Sequence, residues 1–547
     1  MNFFQPKIFT SLRNYNSKQL ANDIIAGIIV AIIALPLSIA LAIASGVAPE
    51  KGLYTAIVAG FIISLLGGSG VNISGPTAAF ATIVAGIVAT KGIEGLVIAT
   101  VMAGFILIVM GVCRLGALIK YIPYTITTGF TAGIAITIVI GQIKDFAGLT
   151  FKEGTHAVET LEKLSAVINS IGTVNLYSLI VGIVAVVILS IWPKISKKIP
   201  GSLVVVLLGI LAVKLLRLPV NTIGDLYTIS GSMPALSFPE ISFSSVRELL
   251  PSALTIAVLA GIESLLSCVV SDGMINDRHN PNTELIALGT GNIFSGLFGG
   301  IPATGAIART AANVKNGGRT PISGMVHALV LLLILVVLMP YAAWIPMPVI
   351  AAILFVVAYN MSEWRQFVSI LKSAPKSDIA VLVITFVLTV VFDLVVAIEV
   401  GLLIAAVLFL KRMTDVTHIR PWTQADEKIS DDNGRLKKIP QKTQVFEING
   451  PMFFATSEKL LEIPVKEGVK VIILRMRNIP ALDVSALKTL MDVAQNCKKE
   501  GITVLFSHVN MQPLSVMKKA GFYDMQGEEC FPKNIDEALL RAEEIVR

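Results

Sequence analysis

Charge is scarce in this chain: Asp, Glu, Lys and Arg make up 15% of its 547 residues, well below the quarter usual in soluble domains. Histidine is rarer still, at 5, and the four cysteines, Cys113, Cys268, Cys497 and Cys530, lie far apart with no CxxC pair. That excludes a Cys/His metal framework and leaves the cysteines as packing residues. No Gly-x-x-x-x-Gly-Lys phosphate loop occurs, which argues against a built-in nucleotide motor. No nucleophile-base or metal constellation falls among the apolar segments, so neither an enzyme nor a bound cofactor is expected. The net charge of +7 does not point to nucleic acid, because the basic residues sit in short loops and no patch is interleaved with aromatics.

What the chain has instead is apolar length. Hydrophobic residues reach 54%, with 43 glycines, and small residues are what transmembrane helices use where their backbones approach. Lys7, Arg13 and Lys18 precede the first apolar run, and no small-residue cleavage site follows it, so that run is read as a retained span. Stretches long enough for a ~30 Å hydrocarbon core fall near 23–45, 51–68, 76–90, 95–112, 121–143, 175–192 and 201–217. After a polar connection containing Met233, Pro234 and Pro239, a second set falls near 250–271, 283–299, 304–316, 321–339, 346–360, 377–391 and 393–411. The reading is an α-helical membrane protein of fourteen transmembrane segments, seven plus seven. From Thr414 onward charge becomes frequent and the long apolar runs stop.

The expected organisation is therefore an N-terminal segment over 1–22, a transmembrane domain over 23–413, a linker over 414–440 and a soluble domain over 441–547. Loops carrying Arg114 and Lys120, then Lys194, Lys197 and Lys198, then Lys315 and Arg319, then Arg365, Lys372 and Lys376, and finally Lys411 and Arg412 contrast with short opposite loops, such as 298–303 and 340–346, that carry no Lys or Arg. This positive-inside bias places both termini in the cytoplasm of a multi-pass cell-membrane protein. Asp393 and Glu399 flank the last two segments and are read as structural.

Two segments break the rules of a spanning helix. The third is preceded by Gly67-Gly68-Ser69-Gly70-Val71-Asn72-Ile73-Ser74-Gly75-Pro76-Thr77, and the tenth by Gly299-Gly300-Ile301-Pro302-Ala303-Thr304-Gly305. Short, Gly/Pro-interrupted segments at matching places in two halves point to an inverted repeat with a midplane binding site. A half-helix starting there aims free backbone N–H groups and its positive dipole end into the gap, which attracts an anion. Pro76 is expected in the first helical turn, where its missing N–H costs nothing. Kinked helices packed through small residues are the alternative.

Two charges fall inside the apolar runs. Arg309, within Ala306-Ile307-Ala308-Arg309-Thr310, adds a fixed positive charge that selects anions over cations, unless it only caps a bundle contact or snorkels to the cytoplasm. Glu263, within Ala260-Gly261-Ile262-Glu263-Ser264, suits proton carriage or cation coupling, unless it is permanently paired with Arg309 or Lys315.

Several local patterns together resemble the sulfate permease family of anion transporters. They are Pro36-Leu37-Ser38-Ile39-Ala40, Pro49-Glu50-Lys51-Gly52-Leu53-Tyr54-Thr55, Ser74-Gly75-Pro76-Thr77, Asp272-Gly273-Met274, Asn280-Pro281-Asn282-Thr283-Glu284-Leu285 and the Arg309 segment. The resemblance implies two inverted seven-helix repeats divided into a core and a gate, an elevator-like movement, and a homodimer in the lipid bilayer. It implies a small-anion substrate bound by Thr77, Ala78, Gly305, Ala306, Ile307 and Arg309, with Ser38 from the first span. Glu263 and Ser267 would face the same cavity and couple a proton or counter-anion. Ser38 and Leu41 stand where many sulfate-carrying members have Gln and aromatic residues, and Glu263 stands where the sodium-coupled bicarbonate branch has Asp.

Beyond Gln444 strands and helices alternate: strands near Val445–Ile448, Val469–Arg475 and Ile502–Phe506, helices near 456–462, Ser485–Glu500, Gln512–Ala520 and 534–546. This is an α/β layer fold, and it resembles the STAS domain that ends sulfate permeases. Ser485 corresponds there to the position phosphorylated in anti-sigma-factor antagonists, while its place at a helix start makes it an expected N-cap.

Overall fold

The structure, a computed structural model, describes all residues except 1–3, 118–122, 153–156, 158, 197, 198, 241, 393, 423–438 and 462. Lys120, Lys197, Lys198, Asp393 and most of the stretch read as linker lie outside the described residues, as does the Glu399 side chain. The chain divides into two compact units, Met1–Leu402 and Leu403–Arg547.

The first half contains helices α1 (Ser17–Ala44), α2 (Pro49–Leu66), α3 (Ala81–Val112), α4 (Tyr124–Ala147), α5 (Leu176–Ile195) and α6 (Gly201–Leu216). The second contains α7 (Phe243–Ile275), α8 (Pro281–Leu297), α9 (Ile307–Lys315), α10 (Pro321–Ala342), α11 (Met347–Met361), α12 (Lys376–Val391) and α13 (Leu394–Val416). Among the described residues, eight helices are long and apolar enough by themselves to cross a membrane. That is fewer than the fourteen expected segments, partly because adjoining segments run on as one helix. The third and fourth segments merge in α3, with Gly92 at φ 69° marking the break between them, a conformation glycine adopts at no steric cost.

Several helix starts are capped as their sequences dictate. Asn280 accepts from the Asn282 and Thr283 amides with Pro281 in the first turn, and Thr320 accepts from the Ile322 amide with Pro321 behind it. Such caps satisfy amides that have no partner within the helix. Outward-facing apolar side chains, among them Ile183, Val187, Leu211, Leu215, Leu333 and Val337, are exposed. A helix surface of this kind belongs against lipid rather than water.

Between the helices lie two short strands, β1 (Ser74–Gly75) and β2 (Thr304–Gly305), paired antiparallel with Ser74 opposite Gly305 and Gly75 opposite Thr304. Each comes from one of the two broken stretches, so chain segments some 230 residues apart meet as a local two-fold pair, as an inverted repeat requires. Behind them, α3 and α8 come into backbone contact: a Cβ on Gly104 would lie 2.6 Å from the Gly289 carbonyl oxygen, and one on Gly289 2.4 Å from that of Gly104. Only glycine at both places allows this approach.

In the second unit, β3 (His418–Pro421), β4 (Thr443–Asn449), β5 (Val471–Asn478) and β6 (Thr503–Ser507) form one sheet in that order. The first pair is antiparallel and the other two are parallel. Alternate residues of β5 enter different cores, Ile472, Leu474 and Met476 on one face and Val471 and Ile473 on the other. Burial on both faces explains why this strand reads as an unbroken apolar run. Helices α14 (Val484–Lys499), α15 (Met511–Lys519) and α16 (Ile535–Val546) complete the layers. Residues 418–421, ahead of the stretch read as the soluble domain, supply the edge strand β3. At the start of α14 the cap is Asp483, which accepts from the Ala486 amide at 2.8 Å. Ser485 lies inside the first turn and is exposed. The expected capping role therefore passes to Asp483, because that residue keeps the extended backbone a cap needs.

Candidate anion site

The two broken stretches set up the site. Backbone pairing continues past β2, where the Ala306 amide donates to the Ile73 carbonyl at 2.9 Å. Both chains must stay extended to make these bonds, so the helices start later than expected. The first begins as a tight turn at Ala78 that leads into α3, and α9 begins at Ile307. Pro76 thus precedes its helix by two residues instead of sitting in the first turn.

Neither of these helix starts carries a side-chain cap. Ala306 has no group to offer. Thr77 does, yet its hydroxyl donates to Glu263 Oε2 at 2.9 Å rather than serving the helix behind it. The first amides of both helices are left to whatever enters between them.

Arg309 lies one turn into α9 and is 4% exposed. Its Nη2 donates to the Pro76 carbonyl, tying the tenth segment to the third, while Nη1 has no partner. A Cβ on Gly75 would come within 2.7 Å of that Nη1, so the guanidinium lies close against β1 and a larger residue at 75 would displace it. Among the described residues no ion pair joins Glu263 to Arg309 or Lys315. The guanidinium does not snorkel, and the permanent pairing considered for Glu263 does not form.

Thr77, Glu263 and Ala306 are partly accessible, Ile307 is exposed, and Ala78 and Gly305 are buried. Gly305 has its own constraint, since a Cβ there would lie 2.7 Å from Asn72 Nδ2 and 2.9 Å from Ser264 Oγ. Ser267 is joined to a different set: its hydroxyl donates to Asn72 Oδ1 at 2.8 Å and to Thr310 Oγ1 at 3.1 Å. Ser38 is fully buried, and its hydroxyl has no hydrogen-bond partner.

Sequence reasoning passed over the network that holds this arrangement. Glu284, 1% exposed, accepts through Oε2 from the Gly68 amide at 2.9 Å and the Ser69 amide at 3.2 Å. Its Oε1 accepts from Asn72 Nδ2 at 2.7 Å and from the Ser264 hydroxyl at 3.4 Å. Thr310 accepts from the Ile73 amide at 3.0 Å and donates to Asn72 Oδ1 at 3.1 Å. Asn313 Nδ2 donates to the Val71 carbonyl at 2.9 Å and to Ser323 Oγ at 2.8 Å. An extended backbone within a membrane needs such partners, because lipid offers none.

Glu284→Gln is therefore expected to lower thermal stability in detergent clearly. It sets an amide donor against converging donors, and each buried donor left unpaired costs about 1–3 kcal/mol. A melting temperature equal to wild type would remove Glu284 from this role.

Residues 20–385 match the sulfate permease family and residues 436–538 the STAS domain. The chain is 39% identical over 530 residues to "Putative sulfate transporter YvdB" of Bacillus subtilis, covering 96% of this chain and 98% of the relative. The chain belongs to the sulfate permease family. Another relative is "Bicarbonate transporter BicA" of Picosynechococcus sp., 32% identical over 464 residues, covering 81% of this chain and 80% of the relative. Among solved structures, the transmembrane domain of a cyanobacterial BicA superposes with a TM-score of 0.63 at 30% identity, over 72% of this chain and 98% of that one. The structure of SLC26A9 superposes with a TM-score of 0.87 at 18% identity, over 98% and 92%, a likeness of fold. The chain is thus a mostly helical membrane transporter of the sulfate permease family, with a C-terminal STAS domain.

Proposed function

We propose that this protein is a secondary active transporter of small anions of the sulfate, bicarbonate or dicarboxylate class, driven by proton symport or anion exchange. The observation that carries this reading is the pairing of β1 with β2, which brings two uncapped helix starts to the partly accessible space beside Glu263 and Thr77, with the Arg309 charge beside β1. An anion there is met by backbone amides and a positive charge, and a carboxylate one hydrogen bond away is the natural proton carrier.

The proposal includes fourteen segments in two inverted repeats, a homodimer, both termini in the cytoplasm and an elevator-like exchange of access. Thr77, Ala78, Gly305, Ala306, Ile307 and Arg309 are the proposed substrate contacts, with Ser38 beside them; Glu263 and Ser267 are the proposed coupling residues, and Ser485 the regulatory one. Sodium-coupled bicarbonate symport is a second reading, favoured by the likeness to the bicarbonate transporters.

Counterflow in liposomes decides between these readings, with sulfate, bicarbonate, fumarate and chloride compared across pH and sodium gradients. Accumulation of one anion against its gradient, driven by protons or by a trapped anion, is the expected result. Dependence on sodium selects the second reading. Movement only down the gradient makes the protein a channel.

A further inference from the structure

A cavity of about 220 Å³ is lined along α3 from Ala79 to Lys91, the stretch that the orientation proposed above carries from the site toward the outside. Its inner end is Ala79, next to the proposed contact Ala78, and its wall carries the hydroxyls of Thr82, Thr137, Ser252, Thr255 and Thr389. Thr137, Thr255 and Thr389 already donate to carbonyls of their own helices. The wall therefore wets an ion without holding it, as a passage does.

The formal charges are at the mouth. Lys91, the last residue before the Gly92 break, is ion-paired with Glu248 of α7. The two also line an adjoining groove of about 460 Å³, together with Glu94 and Glu240. Among the described residues three carboxylates thus share these spaces with one ammonium, and the neighbouring Arg247 lines neither. All four groups stand at the rim of what would be the way in.

We propose that this carboxylate rim is a charge filter on the external approach to the site: it disfavours dianions relative to monoanions, and Lys91 is the counter-charge, among the described lining residues, that keeps the approach open to anions. The proposal rests on the anion-transport reading and on the orientation given with it. The selectivity follows from electrostatics alone. The work of bringing an ion of charge z to a site of potential ψ is proportional to z. A change in ψ that alters monoanion entry by some factor therefore alters dianion entry by the square of that factor.

Two measurements test the filter. In reconstituted full-length protein, Glu248→Gln is expected to lower the KM for bicarbonate roughly threefold and that for sulfate roughly tenfold at low salt, with both effects fading at high ionic strength. Lys91→Gln is expected to shift both KM values upward in the same unequal proportion. Equal factors for the two anions, or a fall in maximal rate at unchanged KM, would overturn the filter and leave a purely structural ion pair.

The second measurement does not depend on transport. Ser252→Cys, on the cavity wall, is labelled in intact cells with membrane-impermeant anionic and cationic methanethiosulfonates. The exposed native thiol, Cys113, ends α3 on the other face. Glu248→Gln should raise the ratio of anionic to cationic labelling rates, and Lys91→Gln should lower it. An unchanged ratio, or no labelling by either reagent, overturns the proposal even if the protein transports anions. Failure of wild type to move any anion while the ratio shifts would sink the transport reading and the filter's purpose, but not the measured field.

Discussion

Arg309→Ala is expected to reduce anion uptake by about two orders of magnitude, the scale on which losing one preorganised charge or donor acts at a developing or bound anion. The side chain is 4% exposed and already tied to the Pro76 carbonyl, so its position is fixed before any ligand arrives. Its Nη1 is left without a partner, and a buried cationic N–H normally has one. An anion between the two helix starts would supply it. Arg309→Lys separates charge from geometry. It keeps the cation but replaces the planar fork with a point charge on a flexible stem, so weak uptake with a raised KM is expected. Uptake of radiolabelled sulfate and bicarbonate into proteoliposomes checks both variants, and detergent melting curves show whether each is folded. Wild-type rates in the folded Ala variant would remove Arg309 from the site.

Glu263→Gln is expected to abolish accumulation driven by a pH gradient while part of the exchange between trapped and external anion survives. Gln retains an oxygen that accepts from Thr77, whose hydroxyl meets Oε2 at 2.9 Å in the native protein, so the wall of the site is preserved. What it loses is the ability to take up and release a proton. With one proton moved per monoanion, a gradient of one pH unit is worth about 1.4 kcal/mol, or tenfold accumulation, and in the variant that ratio should collapse to equality. Unchanged pH dependence would remove the coupling role. Loss of all movement, exchange included, would make Glu263 a substrate contact instead.

Arg309 and Glu263 were legible in the sequence because charge is conspicuous in an apolar run and expensive there. The same rule did not reveal Asn72 or Thr310, which sit in or next to broken stretches where polar residues look like loop. Glu284 was hidden differently. It follows a Pro281 helix start, where an acid is ordinarily explained by the helix dipole, and nothing local announces that its partners are Gly68, Ser69 and Asn72. Asn72 within a Gly/Ser-rich membrane stretch was the available clue, since a side chain of that polarity at that depth needs partners.

The sequence by itself determined the two kinds of solvent this chain meets, the positions of its apolar segments, the two places where they break and the α/β character of its C-terminal part. These follow from local pattern: run length, Gly/Pro interruption and alternation act over a few residues. Only the tertiary structure decided the register of β1 on β2, the later helix starts at Ala78 and Ile307, the diversion of Thr77 from capping to Glu263 and the use of Glu284 as a buried acceptor. Each of these depends on which backbone groups, distant along the chain, are left without water and must satisfy one another. That pairing is a property of the packed protein and not of any one segment.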